Sequence, residues 1–248
     1  MHSLLAVLAI VSGAYDPGTA PAESTPQTRS SGRVVHVGRG GIQAAVDRAR
    51  PGDTVRIRRG TYPGQVEIRG ASKRGVSLIG EGATIDGAVG VRDTAAITLR
   101  GVTLTRGVVV DHVDRYVLDR LRLRGTGVVV RRSSGGTIAR VLVRSAPVGI
   151  SLADSPAAVR ATRTFVRDVT VQGNATGIAL DAVRAVTVSR ARVLGNATGV
   201  AATAVREGVL SDSDISGSQV GVAVAAGSDL LLNGNRLRSN GSDVTSGG

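Results

Sequence analysis

Between Phe165 and Val224 apolar and polar positions alternate over two or three residues, stop at a turn residue, and begin again. One phrase is written three times: FVRDVTVQGNATGIAL, VTVSRARVLGNATGVAA and VLSDSDISGSQVGVAV. Val171, Val193 and Ile215 hold the same place in each copy, as do Gly173, Gly195 and Gly217, and Gly177, Gly199 and Gly221, followed by Ile178, Val200 and Val222. An alternation of two is the period of a strand, and the Gly and Asn turns come too often for helices. Each copy therefore predicts one coil of about three short strands. A single coil cannot bury its apolar side, so successive coils must stack and share a core, with equivalent strands parallel and roughly 4.8 Å apart. The expected fold is an all-β parallel β-helix solenoid of about nine to ten coils.

The same register extends outwards: back from Val171 to Val143, Leu123, Leu104 and Ile85, and forward from Ile215 to Leu237. The long step between Val143 and Val171 places an insertion after Leu152, in ADSPAAVRATRT. Ahead of the coils, Ile42, Ala45, Val46 and Ala49 recur at helical spacing and Pro51-Gly52 ends the run, which predicts a short helix covering the open N-terminal end. Residues 34–248 are thus expected to form the β-helix. Residues 1–14, with the apolar run Leu4–Val11 and the small residues Ser12-Gly13-Ala14, predict a signal peptide, although Lys and Arg are missing before the run; a disordered apolar tail is the alternative. Residues 15–33, rich in Pro, Ser, Thr, Gly and Ala, predict a flexible linker.

The run IQAAVDRARPGDTVRIRRGTYPGQVEI, followed by VSLIGEGATIDG, resembles the N-terminal section of the pectate-lyase-like right-handed parallel β-helix superfamily. The GNATGI and GNATGV phrases are similar to the repeats of its NosD-like members, with carbohydrate-binding and sugar-hydrolase-type repeats. The resemblance covers residues 34–248. It implies the right hand of the solenoid, a tight bend at Asp168, Arg190, Ser213 and Asn235, and a groove floored by the strand 178–180 and its equivalents. It does not fix an activity, since one fold carries many.

Outward positions on that floor are Val109, Val129, Ser151, Ala179, Ala201 and Ala223, none of which can act as acid, base or nucleophile. The next outward column reads Asp111, Arg131, Ala153, Asp181, Thr203 and Ala225, with His112 and Arg132 beside it and the insertion bringing Asp154, Arg160 and Arg163 to the same end. These residues suggest a catalytic group of Asp111, His112 and Arg131. Arg132, Arg160, Arg163 and Asp181 would bind substrate, with an arginine neutralising a uronate carboxylate while His112 takes a proton. The plainer alternative is a surface ion pair between Asp111 and Arg131. Lys plus Arg number 31 against 19 acidic residues, a formal charge of +12, and Lys73 is the one lysine. Genome composition is one source of that bias. Even so, Arg122, Arg192 and Arg236 share one outward column and Arg124, Arg144 and Arg238 another, so Arg122, Arg144 and Arg192 belong with the substrate-binding candidates, on a basic face suited to a polyanion.

Three histidines, one methionine and no cysteine argue against a copper or zinc site and rule out disulfides. No cofactor is expected; calcium on Asp111, Asp114, Asp154 or Asp181 stays open as an alternative with no spacing motif behind it. Scarce aromatics disfavour nucleic acid, and the apolar run is too short to span a bilayer. Asn174 and Asn196 head glycosylation-type triplets, but their recurrence with the repeat makes turn chemistry the better account. Two functions follow as expectations: an exported protein that binds, and as a lyase or epimerase acts on, an acidic polysaccharide; or a non-catalytic surface or wall-associated solenoid. A protein partner could cover the C-terminal end, which has no cap in the sequence.

Overall fold

Nine coils follow one another from Thr54 to Ser246, preceded by a strand, Val34–His36, that pairs with Thr54–Ile57. The computed structural model describes residues 32–38, 41–154 and 163–247. The signal peptide expected at 1–14, most of the linker, and the insertion residues 155–162 with Arg160 lie outside them. Each coil contributes one strand to each of three parallel faces. In coil 1 these are Thr54–Ile57 on face A, Gly60–Pro63 on face B and Val66–Arg69 on face C. In coil 9 they are Leu230–Asn233, Arg236–Arg238 and Ser242–Ser246. Strand-to-strand connections of this kind between parallel neighbours turn right-handed.

The register read from the sequence is the register observed. Ile85, Leu104, Leu123, Val143, Val171, Val193, Ile215 and Leu237 pair in order down face B. Alternation puts these residues inside: all but Leu237, which is partly buried, belong to a core made almost wholly of Val, Ile, Leu and Ala. Small branched side chains suit it because each must pack against its own equivalent one coil away. The resemblance-based bend column needs a correction. Asp168 and Arg190 do sit together at the corner from face A to face B, but their equivalents are Asp212 and Gly234, all with positive φ. Ser213 and Asn235 lie one residue later and turn inwards, where Ser213 Oγ accepts from the Ala191 N–H and Asn235 Oδ1 from the Ser213 N–H.

A helix, α1 (Gly41–Arg48), precedes coil 1, with Ile42, Ala45 and Val46 buried in the core cluster. Gln43 exchanges two hydrogen bonds with the Glu67 backbone, and Lys73 Nζ donates to the carbonyls of Asp47 and Ala49, at the helix end where a cation is favoured. At the other end, no strand follows coil 9 among the described residues, and Leu231 and Val244 are exposed.

The corner from face B to face C explains the repeated phrase. Asn174 and Asn196 are buried, at 4% and 3% exposure. Asn174 Oδ1 accepts from the Ala146 N–H (2.8 Å), Asn196 Oδ1 from the Asn174 N–H (2.9 Å), Ser218 Oγ from the Asn196 N–H, and Asn240 Oδ1 from the Ser218 N–H (3.0 Å). This ladder satisfies buried backbone donors that the turn leaves without a carbonyl. The two recurring glycines of each copy do different work. Gly195 has φ of +59° and open space around its Cβ position, whereas a Cβ on Gly199 would overlap the carbonyl oxygen of Gly221 on the next coil.

Gly199→Ala is therefore expected to cost about 2–3 kcal/mol, because two backbones must separate. Gly195→Ala should cost about 1 kcal/mol, the price of a left-handed Cβ. Urea denaturation of both variants tests this; equal losses would refute close coil contact as the reason for Gly199.

Candidate functional site

The far edge of face C gathers most of the chemistry. Arg69, Arg92, Asp111, Arg131, Ala153 and Asp181 pair in succession on coils 1 to 6, one outward position per coil. One residue further on, each coil turns through a left-handed residue: Gly70, Asp93, His112, Arg132 and Asp154. Such residues occur at every corner of the solenoid, so here they reflect the turn rather than a strained site. Their consequence is a second ladder of ionisable groups beside the first.

The sequence pairing of Asp111 with Arg131 is corrected by geometry. Arg132 holds the Asp111 carboxylate with two bonds, Nε to Oδ1 at 2.9 Å and a terminal nitrogen to Oδ2 at 2.6 Å. The turn swings Arg132 back over the neighbouring coil, while Arg131 stays exposed and acts on Asp111 only through its charge. The hydrogen bond from Arg132, then the charges of Arg132, Arg131 and Arg92, hold the Asp111 carboxyl below the usual aspartate range. A carboxylate so stabilised is a poor proton acceptor. His112 is different. Its Nδ1 lies 3.1 Å from Asp93 Oδ1, and Arg69 Nε lies 3.4 Å from the other oxygen. The His112 hydrogen bond and then the Arg69 charge hold Asp93 below its ordinary value as well. A carboxylate on one ring nitrogen orients the imidazole and leaves the other nitrogen for proton transfer.

His112, Asp93, Asp114, Arg132, Arg74 and Ser134 line a concavity of about 470 Å³ at this edge. The floor of face C beside it is as bare as the sequence implied: Val109, Val129, Ser151, Ala179, Ala201 and Ala223 form one paired outward column. Asp181 is exposed two coils beyond Arg131. Arg163 donates to Thr187 Oγ1 on face A. Arg122, Arg144 and Arg192 lie exposed on face B, in the columns read from the sequence. Arg163 apart, the described candidates thus divide between two places, the edge of face C and face B. Asp93, Arg69, Arg92, Arg74 and Ser134 escaped the sequence. Stepping the register back 19 residues from His112 reaches Asp93, and the same step from Asp111 reaches Arg92.

Three stacked parallel faces and an inward Asn ladder define a parallel β-helix solenoid. The family described as "Periplasmic copper-binding protein (NosD)" matches residues 85–247, more than half of the chain, and the chain belongs to it. Among solved structures, pectate lyase Pel9A is similar at a TM-score of 0.64 and 13% identity, over 88% of this chain and 78% of that one. The Azotobacter vinelandii mannuronan C-5 epimerase AlgE6 A-module is similar at 0.56 and 18%, over 83% and 73%. An alginate lyase from Paenibacillus sp. str. FPU-7 reaches 0.50 and 15%, over 87% and 98%. At these identities the likeness is one of fold. No curated protein matches the chain.

The copper in the family description can be tested against the donor set. Copper favours His, Cys and Met. Of the three histidines, those described are His36, on the first strand of face A, and His112, on coil 3 at the edge of face C. Among the described residues no group of three or more His, Cys, Asp or Glu side chains could hold a metal ion. These residues do not fit copper.

Because Arg132 depresses Asp111, the stability this pair contributes is present above the ordinary aspartate value near 3.8 and is lost as pH falls through the lower folded value. In Arg132→Ala the Asp111 carboxyl should titrate at higher pH than in the wild type. Carboxyl-carbon NMR reads this directly; an unmoved Asp111 would show that Arg132 is not what holds it.

Proposed function

We propose that this protein binds an acidic polysaccharide at the edge of face C, as an extracytoplasmic β-helix. One observation carries the reading: of four arginines on coils 1 to 4, Arg69 pairs with Asp93 and Arg132 with Asp111, leaving Arg92 and Arg131 exposed without an ion pair among the described residues. Arg74 stands in the adjoining concavity. Uronate carboxylates match planar guanidinium donors, and the coil spacing presents those donors at intervals comparable to a sugar ring. The sugar-active enzymes that share the fold, and the apolar run Leu4–Val11 together with the periplasmic description of the family, support the ligand class and the compartment. Among the described residues no helix is long and apolar enough to cross a membrane.

A second reading rests on the Asp93–His112 pair. His112 carries the one imidazole among the described residues at this edge. With a uronate carboxylate neutralised by Arg92 or Arg131, it would take the proton beside that carboxylate, as β-elimination or epimerisation requires. The bare floor and the engagement of Asp111 by Arg132 favour binding without turnover.

Binding to polygalacturonate and alginate is expected to be salt-sensitive and to weaken about tenfold in Arg92→Ala/Arg131→Ala. It would be measured by isothermal titration, with unsaturated uronate products followed by ultraviolet absorbance. Absence of binding at low salt would end the proposal. Product formed by the wild type and abolished in His112→Ala, with binding retained, would establish the catalytic reading instead.

A further inference from the structure

Away from face C, the corner from face A to face B carries two concavities, of about 690 Å³ and 640 Å³. Both are lined by Asp168 and Thr170, so they form one groove running along the solenoid from coil 2 to coil 9. Its N-terminal half is the more basic. Asp119 is buried beneath that half, with its side chain 2% exposed; its Oδ1 accepts from Arg140 Nε on coil 5 (2.8 Å), while Arg100 Nε of coil 3 lies 2.9 Å from Oδ2 as an ion pair without hydrogen-bond geometry. The buried carboxylate thus fixes Arg140 and attracts Arg100, one guanidinium from either side of coil 4. Coil 4 itself adds Arg120 at the bend and Arg122 on face B, and neither forms an ion pair among the described residues. Glu81 is the acidic residue lining this half besides the shared Asp168, whose carboxylate is engaged by Arg190 at 2.7 and 3.1 Å.

The C-terminal half is nearer to balance. Asp212 and Asp214 line it with Arg190, Arg192 and Arg236, and Arg238 holds Asp214. Arg192 and Arg236 are the arginines there without an ion pair among the described residues. No aromatic side chain lines either half, so nothing in the groove could stack on a base. What remains is a straight rail of guanidiniums with a positive centre on coils 3 to 5.

We infer that this corner groove is a second binding site, a track for a linear acidic polysaccharide centred on Arg120 and Arg122. Arg140 is oriented there by its hydrogen bond to the buried Asp119, and Arg100 is drawn to the same carboxylate by charge. The ligand class rests on the function proposed above; the location does not, since the groove lies on a different corner from Arg92 and Arg131.

Arginine modification by phenylglyoxal, read by mass spectrometry on the intact protein at low salt, separates the sites. Polygalacturonate is expected to protect Arg120 and Arg122. Arg120→Gln/Arg122→Gln should weaken binding about tenfold with an unchanged melting temperature, as both side chains are exposed. Protection confined to Arg92 and Arg131 would overturn the corner groove and leave the edge of face C standing. Protection at neither place would overturn both. A single-stranded oligodeoxynucleotide that protects Arg120 and Arg122 at lower concentration than polygalacturonate would overturn the polysaccharide as the ligand.

Discussion

Every part of this molecule depends on hydrogen bonding between coils. The strands pair with equivalents about 20 residues away, so each residue has its own counterpart above and below it at strand spacing. A side chain that suits this arrangement must tolerate a near copy of itself on the next coil. Val, Ile and Ala do so in the core, Asn and Ser do so as donor and acceptor ladders, and Gly does so where the backbones nearly touch. Bulky aromatics do not repeat well at that spacing, which accounts for a core whose one fully buried aromatic, Tyr116, packs its ring over Gly136.

The same constraint arranges the charges. Arg132 reaches Asp111, Arg184 reaches Glu207, Arg190 reaches Asp168 and Arg238 reaches Asp214, each from one coil to its neighbour. Exposed pairs of this kind add little to stability. Their larger effect is to sort the arginines. Those whose guanidinium reaches a carboxylate are held in place, whereas Arg92 and Arg131, though in register with Asp111 on the coil between them, form no ion pair among the described residues. The bias towards arginine therefore becomes two local features, an edge on face C and a groove on the opposite corner, rather than a uniform positive coat.

Membership of the NosD family fixes the architecture more firmly than the chemistry. A solenoid carries its function in outward side chains that the fold leaves free to vary, because packing acts only on the inward ones. Among the described residues the donor set does not suit copper, while the arginines have what polyanions prefer.

Alternation and period were enough to place the coils, because inward residues must match their neighbours and so leave a repeating trace. Val171, Gly199 and Asn196 could be read in register from the sequence for that reason, and so could the bare floor of face C. The turns were less legible. A corner residue can fall one place earlier or later without breaking the period, which is how Ser213 and Asn235 were grouped with Asp168. The ion pairs were less legible still. Whether Asp111 meets Arg131 or Arg132 depends on the direction a left-handed turn gives the side chain, and the union of Arg100 and Arg140 on Asp119 depends on a carboxylate that no pattern marks as buried. The sequence by itself determined the stacking, because backbone pairing imposes one rule on every coil. Only the tertiary structure decided which charged groups meet, because that turns on side-chain directions at the corners, where no repeat constrains them.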